Sequence, residues 1–169
     1  MKIWIASMAA VAVQPLVLAA RFAPDLLASP PQPLNGLGFV LLAVVAVAAA
    51  MTLLVGIPAF LVLHRFRWDG WTSLGLAGFL IGALPMSFTW PKHMEGVSSG
   101  QSWHGKYVET YVNGAPTDYA WLTYAENVVF FGFHGFVGAL VFYTVWRWLS
   151  RADLPQPPVA LGRGSTQMP

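Results

Sequence analysis

Residues 37–63 read LGFVLLAVVAVAAAMTLLVGIPAFLVL, and nothing in the run ionises before His64 closes it. As a helix this stretch would be about 40 Å long, more than the ~30 Å hydrocarbon core of a bilayer. Three further runs have the same character: residues 3–20, 71–90 and 127–148. The first two hold no Asp, Glu, Lys or Arg, and the last holds none before Arg147. Backbone polar groups in lipid must be satisfied within the segment, so each run is expected to be helical.

Composition agrees with the runs. The chain is 56% hydrophobic and only 9% charged, against about 25% charged in ordinary soluble domains. The predicted fold is an all-α integral membrane protein, a four-transmembrane-helix bundle with a small outer β-hairpin between its third and fourth helices. One unit covers 1–150, and 151–169 is expected to be a flexible cytoplasmic tail rich in Pro and Gly. With no Cys there is neither a disulfide framework nor a catalytic thiol. A net charge of +2, scattered among Trp and Phe, gives no footprint for nucleic acid. Lys2, an apolar run and small residues at 18–20 also fit a secretory signal. The run is read here as a retained helix; cleavage would leave three. Pro15 and Pro58 are expected to kink their spans, and Pro85 and Pro91 to mark the end of the third.

Orientation follows from the basic residues. With the N-terminus inside, the inner segments hold Lys2, Arg65, Arg67, Arg147, Arg151 and Arg163, and the outer ones only Arg21, Lys92 and Lys106. Both termini are therefore expected in the cytoplasm. Trp4, Trp68, Trp71, Trp146 and Trp148 fall at the inner boundary, Trp90 and Trp121 at the outer. Residues 21–35, with four prolines, read as an extended outer connector.

The longest polar stretch is 91–126. Asn113-Gly114 lies between 106–112 and 115–122, both read as strands, and Asn-Gly suits a type I′ turn. Residues 95–101 read as a loop. Gly75, Gly78 and Gly82 share one face of the third span, and Gly132, Gly135 and Ala139 one face of the fourth. Small residues let helices approach closely in lipid. These faces are expected to pack within the chain, with a homo-oligomer as the other arrangement.

His134 is the one ionisable residue well inside a span, and such residues are candidate sites. Gln14 and Ser87 fall in the same outer half, and Glu126 and Asn127 cap the fourth span. Two readings stand. His134 hydrogen-bonds a neighbouring helix, with Gln14 the natural partner. Alternatively His134, Gln14, Glu126 and Ser87 converge on an outward pocket for a small ligand or a proton. His93 and His104 are weak metal candidates without regular ligand spacing. Two-histidine haem ligation fails, because His64 and His134 lie at different depths. No cofactor is predicted. P-loop, GxSxG, HExxH and dinucleotide fingerprints are missing, as is the membrane carboxylate expected of a small proton-coupled exporter.

Gly56-Ile-Pro-Ala, Arg65, Gly78 and Gly82-Ala-Leu-Pro85 resemble bacterial inner-membrane proteins of unassigned activity. The resemblance covers about thirty residues and implies no activity. The expected role is a non-catalytic accessory or interaction subunit of a membrane complex. Its expected partners are the lipid bilayer and another membrane protein or a second copy of the chain. A binding or transport component built around His134 is the alternative, and a metal-dependent membrane enzyme comes third.

Overall fold

A computed structural model describes residues 1–28 and 37–151. The tail 152–169 and residues 29–35 of the proline-rich connector lie outside the described residues. The chain is mostly helical, with one small sheet. Its elements are α1 (Lys2–Ala12), α2 (Gln14–Ala28), α3 (Leu37–Met51), a π-helical turn (Thr52–Gly56), α4 (Ile57–Arg65), α5 (Trp71–Ser87), β1 (Ser99–Trp103), β2 (Lys106–Val112), β3 (Ala115–Pro116) and α6 (Asp118–Arg151). Three helical stretches are long and apolar enough to cross a membrane: Lys2–Arg21, Gly38–Arg65 and Asp118–Arg151. α5 is apolar but shorter, at 17 residues.

The prolines act where their missing N–H falls. Pro15 cannot donate to the turn before it, and the helix breaks at Val13, whose carbonyl accepts from Leu16 at 3.0 Å and Val17 at 3.2 Å. Pro58 cannot bond the carbonyl of Leu54. The ladder absorbs this by widening into the π-turn just before it, where the Ile57 N–H reaches the carbonyl of Thr52. Residues 21–28 are a correction to the extended connector: they continue α2, with Pro24 inside the helix. The α4–α5 connection is a Schellman-type turn. The Trp68 N–H donates to the Leu63 carbonyl at 2.8 Å, and Arg67 takes the left-handed position at φ 60°.

α5 and α6 form the most extensive helix pair. Gly78 and Gly82 lie against Gly135, backbone on backbone. A Cβ on Gly135 would run into the Gly78 carbonyl oxygen, and one on Gly82 into that of Phe131. A Cβ on Gly78 would sit 2.5 Å from the Ala139 Cβ. Phe rings fill the flanks: Phe136 covers Gly75, and Phe79 covers Gly132. α1 packs on the neighbouring face of α6. There Ala6, Ala10, Phe60, Leu74 and Phe142 form the core, with the Phe60 ring edge-on to Phe142 at 4.8 Å and to Trp146 at 5.1 Å. The α3–α4 stretch lies outermost: none of its most hydrophobic window is buried. A stretch that buries Phe60 and little else is costly in water and stable in lipid.

The sheet corrects the predicted hairpin. Asn113 and Gly114 do form a turn, both with positive φ (47° and 84°), but it leads into a strand of only two residues, β3. Residues 118–122, expected as strand, are the first turn of α6. Pro116 ends the ladder on the edge strand, and the Thr117 carbonyl accepts from Ala120 at 3.0 Å to start the helix. Asp118 in that first turn suits the positive end of the helix dipole. α6 therefore begins nine residues before Asn127 and runs about 50 Å, well beyond a bilayer core. The main partner of β2 is β1, from the segment expected as a loop. The two pair antiparallel through His104-Gly105, a second turn with two positive φ values (47° and 78°).

Gly114 has two constraints. Its N–H donates to the Val97 carbonyl at 2.7 Å, its carbonyl accepts from Met94 at 3.0 Å, and a Cβ there would lie 2.5 Å from the Met94 carbonyl oxygen. Gly114→Ala is expected to cost about 2 kcal/mol, left-handed strain plus the displaced Met94 strap. Hydrogen exchange at Met94, Val97 and Gly114 checks this: all three amides should lose protection together, while those of α5 should not.

Candidate functional site

Two clusters of polar side chains lie along α6, one above the other. The lower joins Gln14 to His134. Gln14 is 7% exposed and lies over Gly138, where a Cβ would come within 2.7 Å of its amide nitrogen. That nitrogen donates to the carbonyls of Ala10 and His134, each at 3.2 Å. The amide oxygen therefore faces the imidazole and accepts from His134 Nδ1 at 2.6 Å. An acceptor there fixes the tautomer: Nδ1 carries the proton and Nε2 is the bare lone pair. Nε2 is buried and has no hydrogen-bond partner among the described residues. The ring is held edge-on to Phe130 at 4.6 Å.

The upper cluster centres on Glu126, two turns nearer the sheet. One carboxylate oxygen meets Arg21 at 3.0 Å. The other accepts from the Trp103 indole N–H at 2.8 Å and lies 3.6 Å from His104 Nε2. Arg21 also stacks over the Phe130 ring at 4.3 Å, so Phe130 separates the two clusters while touching both. Three parts of the chain meet on one carboxylate: the end of the first apolar stretch, α6, and the β1–β2 turn. Charge-assisted bonds of this kind are stronger than neutral ones. They hold the sheet over α6.

Ser87 joins neither cluster. Its hydroxyl donates to the Leu84 carbonyl at 2.7 Å, while its own carbonyl accepts from the Tyr124 hydroxyl at 2.9 Å, tying the end of α5 to α6. Among the described residues no group of three or more His, Cys, Asp or Glu is placed to hold a metal ion. His93 is exposed, and His104 is the turn residue facing Glu126. Sequence reasoning passed over Arg21 and Trp103. Arg21 carried a usable signal, a lone cation closing an apolar run at the same end as Glu126. Trp103 carried none, because its partner depends on the β1–β2 register.

No protein-family profile matches the chain, and neither a curated protein nor a solved structure matches it. The functional reading therefore rests on the site itself.

Proposed function

We propose that the chain is a four-span protein of a bacterial inner membrane, with both termini in the cytoplasm and α5 as the third span. It acts without catalysis, as an accessory subunit that presents the sheet to another membrane protein. The observation that carries this reading is the use made of the polar groups. Glu126, Arg21 and Trp103 fasten the sheet to α6, and Gln14 and His134 fasten α1 to α6. What this leaves outward at the sheet end is a recognition surface. Tyr107 is 75% exposed, and Phe88, Trp90, Met94 and Val97 are exposed in the segment that leads from α5 to the sheet. Aromatic and Met side chains are enriched at interfaces. A second reading, a small-ligand or proton site at His134, is favoured by its unpartnered Nε2.

The absence of Cys makes the topology directly testable. Ser102→Cys should react with a membrane-impermeant maleimide on intact cells. Arg65→Cys should react only after permeabilisation. The reverse pattern, or equal labelling, overturns the orientation. Between the two functional readings, Tyr107→Asp should abolish the chain's contribution in its host while His134→Ala leaves it intact. The opposite outcome moves the function to His134.

A further inference from the structure

Two clefts adjoin on one flank of the molecule. The first, about 520 Å³, is lined by Leu16, Val17, Ala20, Arg21, Phe130 and Phe133. The second, about 580 Å³, shares Arg21, Phe130 and Phe133 and rises to Trp103, His104 and Glu126. Together they form one groove between the first apolar stretch and α6, open along its side. Its lower part is almost wholly apolar, and its polar groups gather at one end.

The level of that end is fixed by the fold. Arg21 closes the apolar stretch Lys2–Arg21, so it stands where hydrocarbon gives way to headgroups. Val17 and Leu16 lie a little over one turn deeper, and Ala20 directly precedes Arg21. On α6, Glu126 to Phe133 covers roughly 10 Å along the axis below that level, enough for the upper part of an acyl chain. The end of the groove holds donors in excess of acceptors. Arg21 has five N–H donors, of which its ion pair with Glu126 engages part, and about a third of its side chain is exposed. His104 is 68% exposed beside it. Glu126 balances the charge of Arg21 through one guanidinium nitrogen, and the other N–H groups are not used in that ion pair. The Phe130 ring under the guanidinium holds its plane in place.

We propose that this groove binds one phospholipid. An acyl chain lies along Leu16, Val17, Ala20 and Phe133, and the phosphate accepts from Arg21 and His104. Planar guanidinium donors suit phosphate oxygens. Hydrogen-bond donors and shape together select this occupant. A neutral lipid leaves the donors without an acceptor, and free phosphate leaves the apolar length empty. The inference needs the first apolar stretch and α6 to lie in a bilayer; it does not depend on what the sheet recognises.

The test uses the full chain, purified, stripped of lipid and placed in detergent micelles. Phosphatidylethanolamine, phosphatidylglycerol and diacylglycerol are added in turn, and bound lipid is read by native mass spectrometry. One phospholipid per chain is expected, with diacylglycerol weaker by about tenfold, the worth of one charge-assisted hydrogen bond. His104→Ala, an exposed turn residue, should lower phospholipid retention severalfold without altering the circular dichroism. Ala20→Trp, which fills the apolar length, should abolish it. Equal retention of diacylglycerol overturns the phosphate contact. Full retention by Ala20→Trp, or displacement by inorganic phosphate alone, overturns the groove. A chain that retains no phospholipid at all overturns the proposal, while carbonate extraction of the chain from native membranes separately overturns the membrane reading.

Discussion

Gly135→Val is expected to lose about 3 kcal/mol or more, the largest effect of any single substitution discussed. The position lies where α5 and α6 touch backbone to backbone. A Cβ there would enter the Gly78 carbonyl oxygen and stand 3.1 Å from the Gly82 Cα. Neither is a flexible side-chain tip, so relief requires the helices to move apart. Separation would unseat Phe136 from Gly75 and Phe79 from Gly132, because both rings depend on the same close approach. Overpacking typically costs 1–3 kcal/mol, and a site that yields only by moving a helix falls at or above the upper end. Gly38 is the control. A Cβ there meets nothing within 4 Å, and Gly→Ala in an unhindered helix gains roughly 0.5–1 kcal/mol. Unfolding in bicelles with increasing SDS should place Gly38→Ala at or above the native chain and Gly135→Val far below it. Similar midpoints for the two variants would mean that the α5–α6 seam does not hold the bundle.

Glu126→Ala should free the sheet from the bundle. It removes one acceptor shared by Trp103 and His104 and the partner of Arg21. The ion pair with Arg21 is about one-third exposed on each side, so screening keeps its share small. The larger share is the indole bond to a charged oxygen, and the total comes to about 2 kcal/mol. In hydrogen exchange this corresponds to a roughly 30-fold loss of protection in β1 and β2. α5 and the lower half of α6 should keep theirs. Glu126→Gln should fall between, because the amide oxygen still accepts from Trp103 while the charge facing Arg21 is gone. A uniform loss across all elements would show instead that Glu126 supports the whole fold.

The apolar stretches were legible because lipid imposes one rule along each of them. The run from 37 to 63 could be placed without knowing any neighbour, and Pro58 marked where its ladder is disturbed, though the π-turn that absorbs the missing N–H was not legible there. The region from 95 to 122 was harder. Asn113-Gly114 announced its turn, but the strand on its far side was stopped by Pro116 and Thr117 after two residues. The true partner, Ser99–Trp103, is rich in small and polar residues and carries no alternation of its own. Pairing with β2 makes it a strand. His104-Gly105 was the missed cue, since His tolerates the left-handed region better than most residues. The site was legible in the same uneven way. Gln14 and His134 each stood out as a polar residue in an apolar run, so the pairing of one with the other was readable. The Glu126 cluster was not, because it depends on where a hairpin turn lands over a helix.

The central claim is that the sheet, and not His134, is the working surface of this protein. Native mass spectrometry of the chain released gently from its own membranes tests it most directly, with Tyr107→Asp and His134→Ala run beside it. The account predicts a heavier assembly containing a second, different protein for the native chain and for His134→Ala, and its loss for Tyr107→Asp. An assembly that survives Tyr107→Asp, or a native chain that carries only a small-molecule adduct lost in His134→Ala, would contradict it.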